Sequence, residues 1–309
     1  MKYIRMNRKG LGIMLEVKGI IPAMVTPLDQ REEIDEKALR KMVNRYIDAG
    51  VHGLFCLGTN GEFFNLSFEE KLAVAQIVID EARGRVPVYA GAGCSGTGET
   101  SRLAQRLEQA GADALSVITP YFLTYTQAEL QYHFEAVAGD TSLPLVLYTI
   151  PVRTGNTLSV QTVAKLAELP NVVGIKDSSG SFDNILQLID RTPESFSVLA
   201  GTDSLILSTL MAGGTGAIAA TANIFPATVV AIYEHWRRGE YEQAEQAQRV
   251  LRDLRAAFAL GTLPSVLKAV LDEIGLPAGP ARRPVAPLTP QALEEVRRMV
   301  ADYAARGLL

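Results

Sequence analysis

Along most of this chain, short apolar runs alternate with longer stretches whose apolar residues recur at helical spacing. The runs occupy 19–25, 53–57, 86–90, 114–119, 145–149, 172–176, 197–200 and 216–220. Helical patterns lie between them at 35–49, 67–83, 97–110, 127–138, 159–168 and 183–189. Ser67, with Glu70 three positions on, reads as a capping box, and Gly50 and Gly111 stand where helices close. Strand-like runs that each lead into a helix predict a closed parallel (β/α)8 TIM barrel. The competing open, doubly wound sheet needs a G-x-G-x-x-G turn after its first strand, and none is present.

From Gly239 onward no strand-like run appears. Helical patterns at 240–260, 263–274 and 290–305 follow, the last two joined by a Pro- and Gly-rich linker at 275–287. The expected division is a flexible N-terminal extension at 1–15, a catalytic barrel at 16–238 and a C-terminal three-helix appendage at 239–309. Met14 offers an alternative start for the chain.

Composition narrows the function classes. The 309 residues suit one barrel of about 250 residues plus an appendage. With 48% apolar and 21% charged residues the chain is that of an ordered globular protein, and a net charge of −4 gives no footprint for nucleic acid. No run is long and apolar enough for a membrane span, and the apolar stretch behind the basic N-terminus is too short for a signal peptide. Cys56 and Cys94 lie in separate apolar segments, which predicts buried free thiols and a cytoplasmic setting. The three histidines, His52, His133 and His235, fall at a strand entry and in helical patterns, so they do not converge as metal ligands.

In a barrel of this kind the chemistry sits at the C-terminal ends of the strands. Strand six ends in Lys176, followed by Asp177-Ser178-Ser179-Gly180. An amine in apolar surroundings loses solvation of its charged form, which favours the nucleophile that attacks a ketone to give an imine. A structural pair with Asp177 is the other reading. Strand five ends in Tyr148, with Arg153 a few residues on. A phenol there can relay protons and a guanidinium can grip a carboxylate; a barrel-filling aromatic and a solvated arginine are the plainer alternatives. After strand two, Gly58-Thr59-Asn60-Gly61-Glu62 suits a turn whose backbone N–H groups face an anion, though an ordinary tight turn looks similar. It lacks the Lys-Ser/Thr ending of a nucleotide-binding P-loop. The glycines at 213–216 precede strand eight, the wrong end for a phosphate site, and are read as close packing.

Together these segments resemble the dihydrodipicolinate synthase and N-acetylneuraminate lyase superfamily, from about Lys18 to the C-terminus. The likeness rests on Gly58-Thr59-Asn60-Gly61-Glu62, Thr119-Pro120-Tyr121, Tyr148-x-x-Pro151, Gly174-Ile175-Lys176-Asp177 and Gly201-Thr202-Asp203, in that order. It implies a lyase in which Lys176 forms a Schiff base with pyruvate and Tyr148 transfers protons. By the same likeness Thr59 links Tyr148 to a relay, and the backbone at Thr59 and Asn60 binds the pyruvate carboxylate. Arg153 then holds the carboxylate of an aldehyde substrate, and the Ile218 carbonyl lies beside bound pyruvate. The loop at Tyr121 and Phe122 reaches across a tight dimer interface in a homotetramer built as a dimer of dimers. The only covalent partner implied is the substrate imine; no metal or nucleotide is expected.

The departures shape the substrate reading. Asn60 stands where the synthases usually have a second threonine, and Phe122 where they place a second tyrosine, so the relay from a partner subunit is broken or bridged by water. Phe63-Phe64-Asn65 and Phe68 are apolar where lysine-inhibited synthases carry polar groups and histidines, which argues against lysine feedback although Glu99 and Tyr121 are retained. Arg153 and the run Thr221-Ala222-Asn223 favour aspartate semialdehyde, hence 4-hydroxy-tetrahydrodipicolinate synthesis. Asn60 and Phe122 favour the alternative, a 2-keto-3-deoxy sugar acid aldolase or a dehydratase using the same imine. A non-catalytic 2-oxo acid binding protein is the alternative of another class, against which Lys176, Tyr148 and Thr59 together argue.

Overall fold

The computed structural model describes residues 15–309; the expectations for an N-terminal extension and for Met14 as a start lie outside the described residues. Eight parallel strands form one sheet: β1 (Gly19–Pro22), β2 (Leu54–Cys56), β3 (Val88–Gly91), β4 (Ala114–Ile118), β5 (Leu145–Thr149), β6 (Val172–Asp177), β7 (Ser197–Ala200) and β8 (Gly216–Ala219). Each strand pairs with its sequence neighbours, β8 pairs with β1, and a parallel bridge between Ala23 and Phe55 joins β1 to β2 and closes the ring. Every strand residue is buried, as expected where helices cover one face and a filled barrel lies behind the other. Ile21, Phe55, Tyr89, Val146, Val173, Leu199 and Ile218 pack together inside the barrel.

The caps follow from local chemistry. Asp35 accepts from Ala38 N at the start of the helix Glu36–Asp48. Ser67 and Glu70 form the capping box expected from their spacing, and Thr126 and Glu129 form a second one. The segments after β7 and β8 also fold as helices, Ile206–Met211 and Pro226–Arg237, although the first has no charged face to produce a periodic signal. Gly214 and Gly216 serve close packing: a Cβ on Gly216 would lie 2.1 Å from Gly19 O.

Three further helices follow, Tyr241–Ala257, Leu263–Glu273 and Pro290–Ala305. They dock on the barrel. Gln248 donates to Asp203 O and accepts from Leu207 N, both beside the end of β7. The phenol of Tyr303 bridges to Val250 O and Leu254 N while its ring packs edge-on against Phe225. No helix among the described residues is long and apolar enough to cross a membrane.

Candidate active site

Lys176 and Tyr148 are paired across β5 and β6, in register near the C-terminal ends of both strands. Lys176 is only 4% exposed; its Nζ lies 4.2 Å from the centroid of the Tyr148 ring and 5.2 Å from that of Phe55. Two aromatic faces therefore take the place of water around the amine. The alternative pairing with Asp177 does not form. The side chains of adjacent strand residues point to opposite faces, and the Asp177 carboxylate accepts from Ser179 N and from the Asn184 amide instead. Among the described residues Lys176 has no ion-pair partner.

The Tyr148 phenol, on a side chain 3% exposed, shares a 3.2 Å hydrogen bond with Thr59 Oγ1. Thr59 sits in a tight turn after β2, where Gly61 N donates to Gly58 O and Glu62 N to Thr59 O. Leu57 and Glu62, at either end of that turn, both have left-handed backbone, at φ 61° and 56°. The N–H groups of Thr59 and Asn60 have no hydrogen-bond partner among the described residues, so the turn presents two donors next to the phenol. The Asn60 side chain is buried and its amide donates to Ala23 O, away from that role.

The remaining expected residues fall into two groups. Ile218 is fully buried in the barrel interior with Phe55. Arg153 lies in the short helix Pro151–Thr154 that follows β5; it is exposed and has no ion-pair partner among the described residues. Tyr121 is half-buried, its ring edge-on to Phe63, and burial pushes its phenol above the usual tyrosine range. Phe122 is 94% exposed at φ 88° and touches none of these groups within the chain.

Asn223, quoted above as part of a run, holds backbone segments together. It is fully buried, its Oδ1 accepting from Val25 N and the Tyr46 phenol and its Nδ2 donating to Ala23 O and Ala220 O. It seams β1 to the end of β8. Asp203, quoted above only as part of a motif, is buried and accepts from Ala220 N and Thr221 N, which holds the loop after β8 in place.

Several groups near the site gave weaker signals in the sequence. Ser116 on β4 is 1% exposed, its hydroxyl has no partner among the described residues, and it lines a small cavity with Phe55, Gly58, Gly91, Gly93 and Tyr148. An alternation argument would have placed it inside the barrel. Lys268 is 2% exposed on the apolar face of the helix Leu263–Glu273, between Leu267 and Leu271; a lysine on such a stripe is a visible anomaly. A larger cavity, between Ser95–Thr97 and the helix Gln127–Gly139, contains His133 but none of the groups around Lys176. The three histidines have separate partners: Ile20 N and Glu234 for His52, Thr97 for His133, and Glu240 for His235.

An enclosed amine without a carboxylate, next to a phenol tied to a hydroxyl, can form and turn over a covalent carbonyl adduct. Residues 16–303 match the model of the dihydrodipicolinate synthetase family. The chain belongs to that family. The 4-hydroxy-tetrahydrodipicolinate synthase of Methanopyrus kandleri is 39% identical over 285 residues, covering 92% of this chain and 95% of that protein. The crystal structure of dihydrodipicolinate synthase from Aquifex aeolicus superposes with a TM-score of 0.90 at 32% identity, covering 93% and 98% of the two chains. That of the Acinetobacter baumannii dihydrodipicolinate synthase, complexed with pyruvate, also gives 0.90, at 34% identity over 94% and 99%. As a member of this family the chain is a (β/α)8-barrel lyase.

Proposed function

We propose that the chain is a 4-hydroxy-tetrahydrodipicolinate synthase, joining pyruvate to aspartate semialdehyde through an imine on Lys176. The observation that carries this reading is the Lys176 amine, enclosed against the Tyr148 ring with no ion-pair partner among the described residues. The names and the pyruvate complex of its relatives support the substrate pair.

In the proposed reaction Lys176 Nζ attacks the keto carbon of pyruvate and water leaves with the keto oxygen. The iminium that results withdraws electrons, so the methyl carbon loses a proton and an enamine forms. That carbon attacks the aldehyde, a carbon–carbon bond is made, and the aldehyde oxygen takes up a proton. The semialdehyde's own amine then adds to the imine carbon, closing the ring and returning Lys176. Tyr148, hydrogen-bonded to Thr59, is the group placed to move these protons. The free N–H groups of Thr59 and Asn60 bind the pyruvate carboxylate, the Ile218 carbonyl borders the ketone carbon, and Arg153 takes the carboxylate of the semialdehyde.

The chemistry needs no metal or nucleotide in this reading, because the imine itself is the electron sink. Phe122 and Leu123 form an exposed apolar tip, which suits a loop covered by a second copy in a dimer of dimers. Cys56 and Cys94 are buried free thiols, in keeping with the cytoplasmic setting proposed.

Borohydride added with pyruvate should leave a pyruvate-derived mass on Lys176; a folded protein with no adduct there overturns the mechanism. Pyruvate with aspartate semialdehyde, assayed against cleavage of 2-keto-3-deoxygluconate, tests the substrate. Cleavage of the sugar acid alone replaces the synthase reading with the aldolase, which the phenylalanine at 122 would suit.

A further inference from the structure

The turn that carries Thr59 and Asn60 ends in Glu62, whose carboxylate is sealed in the protein at 0% exposure. A carboxylate removed from water needs compensating partners, and these come from more than two hundred residues further along the chain. Lys268 Nζ lies 2.7 Å from Glu62 Oε1, with side-chain exposures of 2% and 1%. The backbone N–H of Arg282 donates to Glu62 Oε2 at 2.8 Å. Lys268 is fixed in turn by a 2.8 Å hydrogen bond to Pro280 O, so one ammonium links the turn to the linker before the last helix.

Arg282 spreads the attachment. Its guanidinium makes a two-pronged contact with Glu70, at 2.9 and 2.7 Å, and donates to Asn65 O and Glu32 O. Glu62, Asn65 and Glu70 all follow β2, and the Arg282 side chain and backbone touch each of them. Burial pulls the Lys268 ammonium below the usual lysine range, against the opposing pull of Glu62.

The strain in the turn gives this anchor a purpose. Glu62 holds a left-handed φ of 56°, unusual for a residue with a side chain, and its N–H closes the turn onto Thr59 O. A backbone held away from its preferred region persists only where its surroundings over-determine it. We infer that the buried Glu62–Lys268 pair, with Arg282 beside it, is a positioning device through which the C-terminal segment sets the two N–H donors that bind the substrate carboxylate. Glu62, Lys268 and Arg282 are positioning residues; none of them touches the reacting atoms.

The inference rests on the imine reading, and the test separates the two. The pyruvate concentration that gives half-maximal borohydride trapping on Lys176 is measured for the wild type, Glu62→Gln, Lys268→Met and the double variant. This midpoint does not depend on how much protein is folded, so a purely structural loss leaves it in place. Glu62→Gln keeps the shape and an acceptor for the Arg282 N–H but leaves the Lys268 ammonium without its carboxylate, whereas the double variant leaves no unpaired buried charge and so retains the fold if either single change does not. The midpoint should rise about tenfold or more in Glu62→Gln and in the double variant, as a displaced binding group requires. A midpoint within about twofold of wild type in either folded variant overturns the inference while leaving the imine intact. A wild type that traps no pyruvate overturns the imine reading, and this inference with it.

Discussion

The Lys176 amine lies over the face of Tyr148, 4.2 Å from its ring centroid, while the phenol at the far end of that ring is bonded to Thr59. The ring thus has two jobs. Its face encloses the amine and, in the proposed reaction, its hydroxyl serves proton transfer, and substitution can separate them. Tyr148→Phe keeps the face and removes only the hydroxyl. It should lower kcat by about 10²–10⁴-fold while borohydride still traps pyruvate on Lys176. Steady-state kinetics beside mass spectrometry of the trapped protein reads both effects; kcat within tenfold of wild type would take Tyr148 out of the proton path.

In the proposed reaction Thr59 acts through the same hydroxyl pair, so its loss should not add to that of Tyr148. Thr59→Val alone should lower kcat, whereas Thr59→Val added to Tyr148→Phe should change it by less than about threefold, since residues acting as a unit are non-additive. Fully multiplicative losses in the double variant would mean that the 3.2 Å contact carries no shared function.

In the proposed reaction Arg153 serves the second substrate only. A guanidinium–carboxylate hydrogen bond contributes about 1.5–3 kcal/mol, so Arg153→Ala should raise KM for the aldehyde about 10- to 100-fold. KM for pyruvate should stay within about twofold, because the turn at Thr59 and Asn60 is untouched. Equal increases for both substrates would contradict the assignment.

The barrel was legible because its strands are buried on both faces and therefore read as nearly unbroken apolar runs, with Lys176 and Asp177 the charged exceptions at the end of β6. Helices with a charged face were legible for the same reason in reverse; Ile206–Met211, apolar but for two hydroxyls, left no such trace. Within the site, Lys176 and Tyr148 are brought together by strand register, and Thr59 joins them from the turn after β2, which motif order anticipates but local spacing does not contain. The role of Asn223 left no local trace, because the same amide chemistry that binds a substrate also seams two strands, and only the partners distinguish the two. Glu62 and Lys268 were individually visible, yet their pairing spans 206 positions and rests on how the last helices dock.

Gly216 tests how β8 meets β1. A Cβ there would lie 2.1 Å from Gly19 O and 2.5 Å from Gly19 N, both backbone atoms with no room to yield. Gly216→Ala should therefore destabilise the barrel by about 1–3 kcal/mol, the usual cost of overpacking. A lowered urea midpoint measures it; an unchanged midpoint would mean that the β1–β8 seam is looser than its register implies.

His133 sets a pH dependence of stability away from the site. It is 3% exposed, its Nδ1 is 2.9 Å from Thr97 Oγ1, its Nε2 has no partner among the described residues, and burial pulls its pKa down to about 4. In the unfolded chain the imidazole titrates near its ordinary value of about 6.5. Between those two values the unfolded state binds more protons than the folded one, so stability falls as pH falls through that window and is fully present above it. The group's contribution is up to about 3 kcal/mol, lost progressively from near pH 6.5 toward pH 4. Carboxylates also titrate at the acid end, so the comparison is with His133→Gln, in which their effect persists and this one does not. Urea unfolding at pH 7, 6, 5 and 4.5 should show the wild type losing stability faster than the variant. Parallel curves would mean that the imidazole takes up its proton in the folded protein as readily as in the open chain.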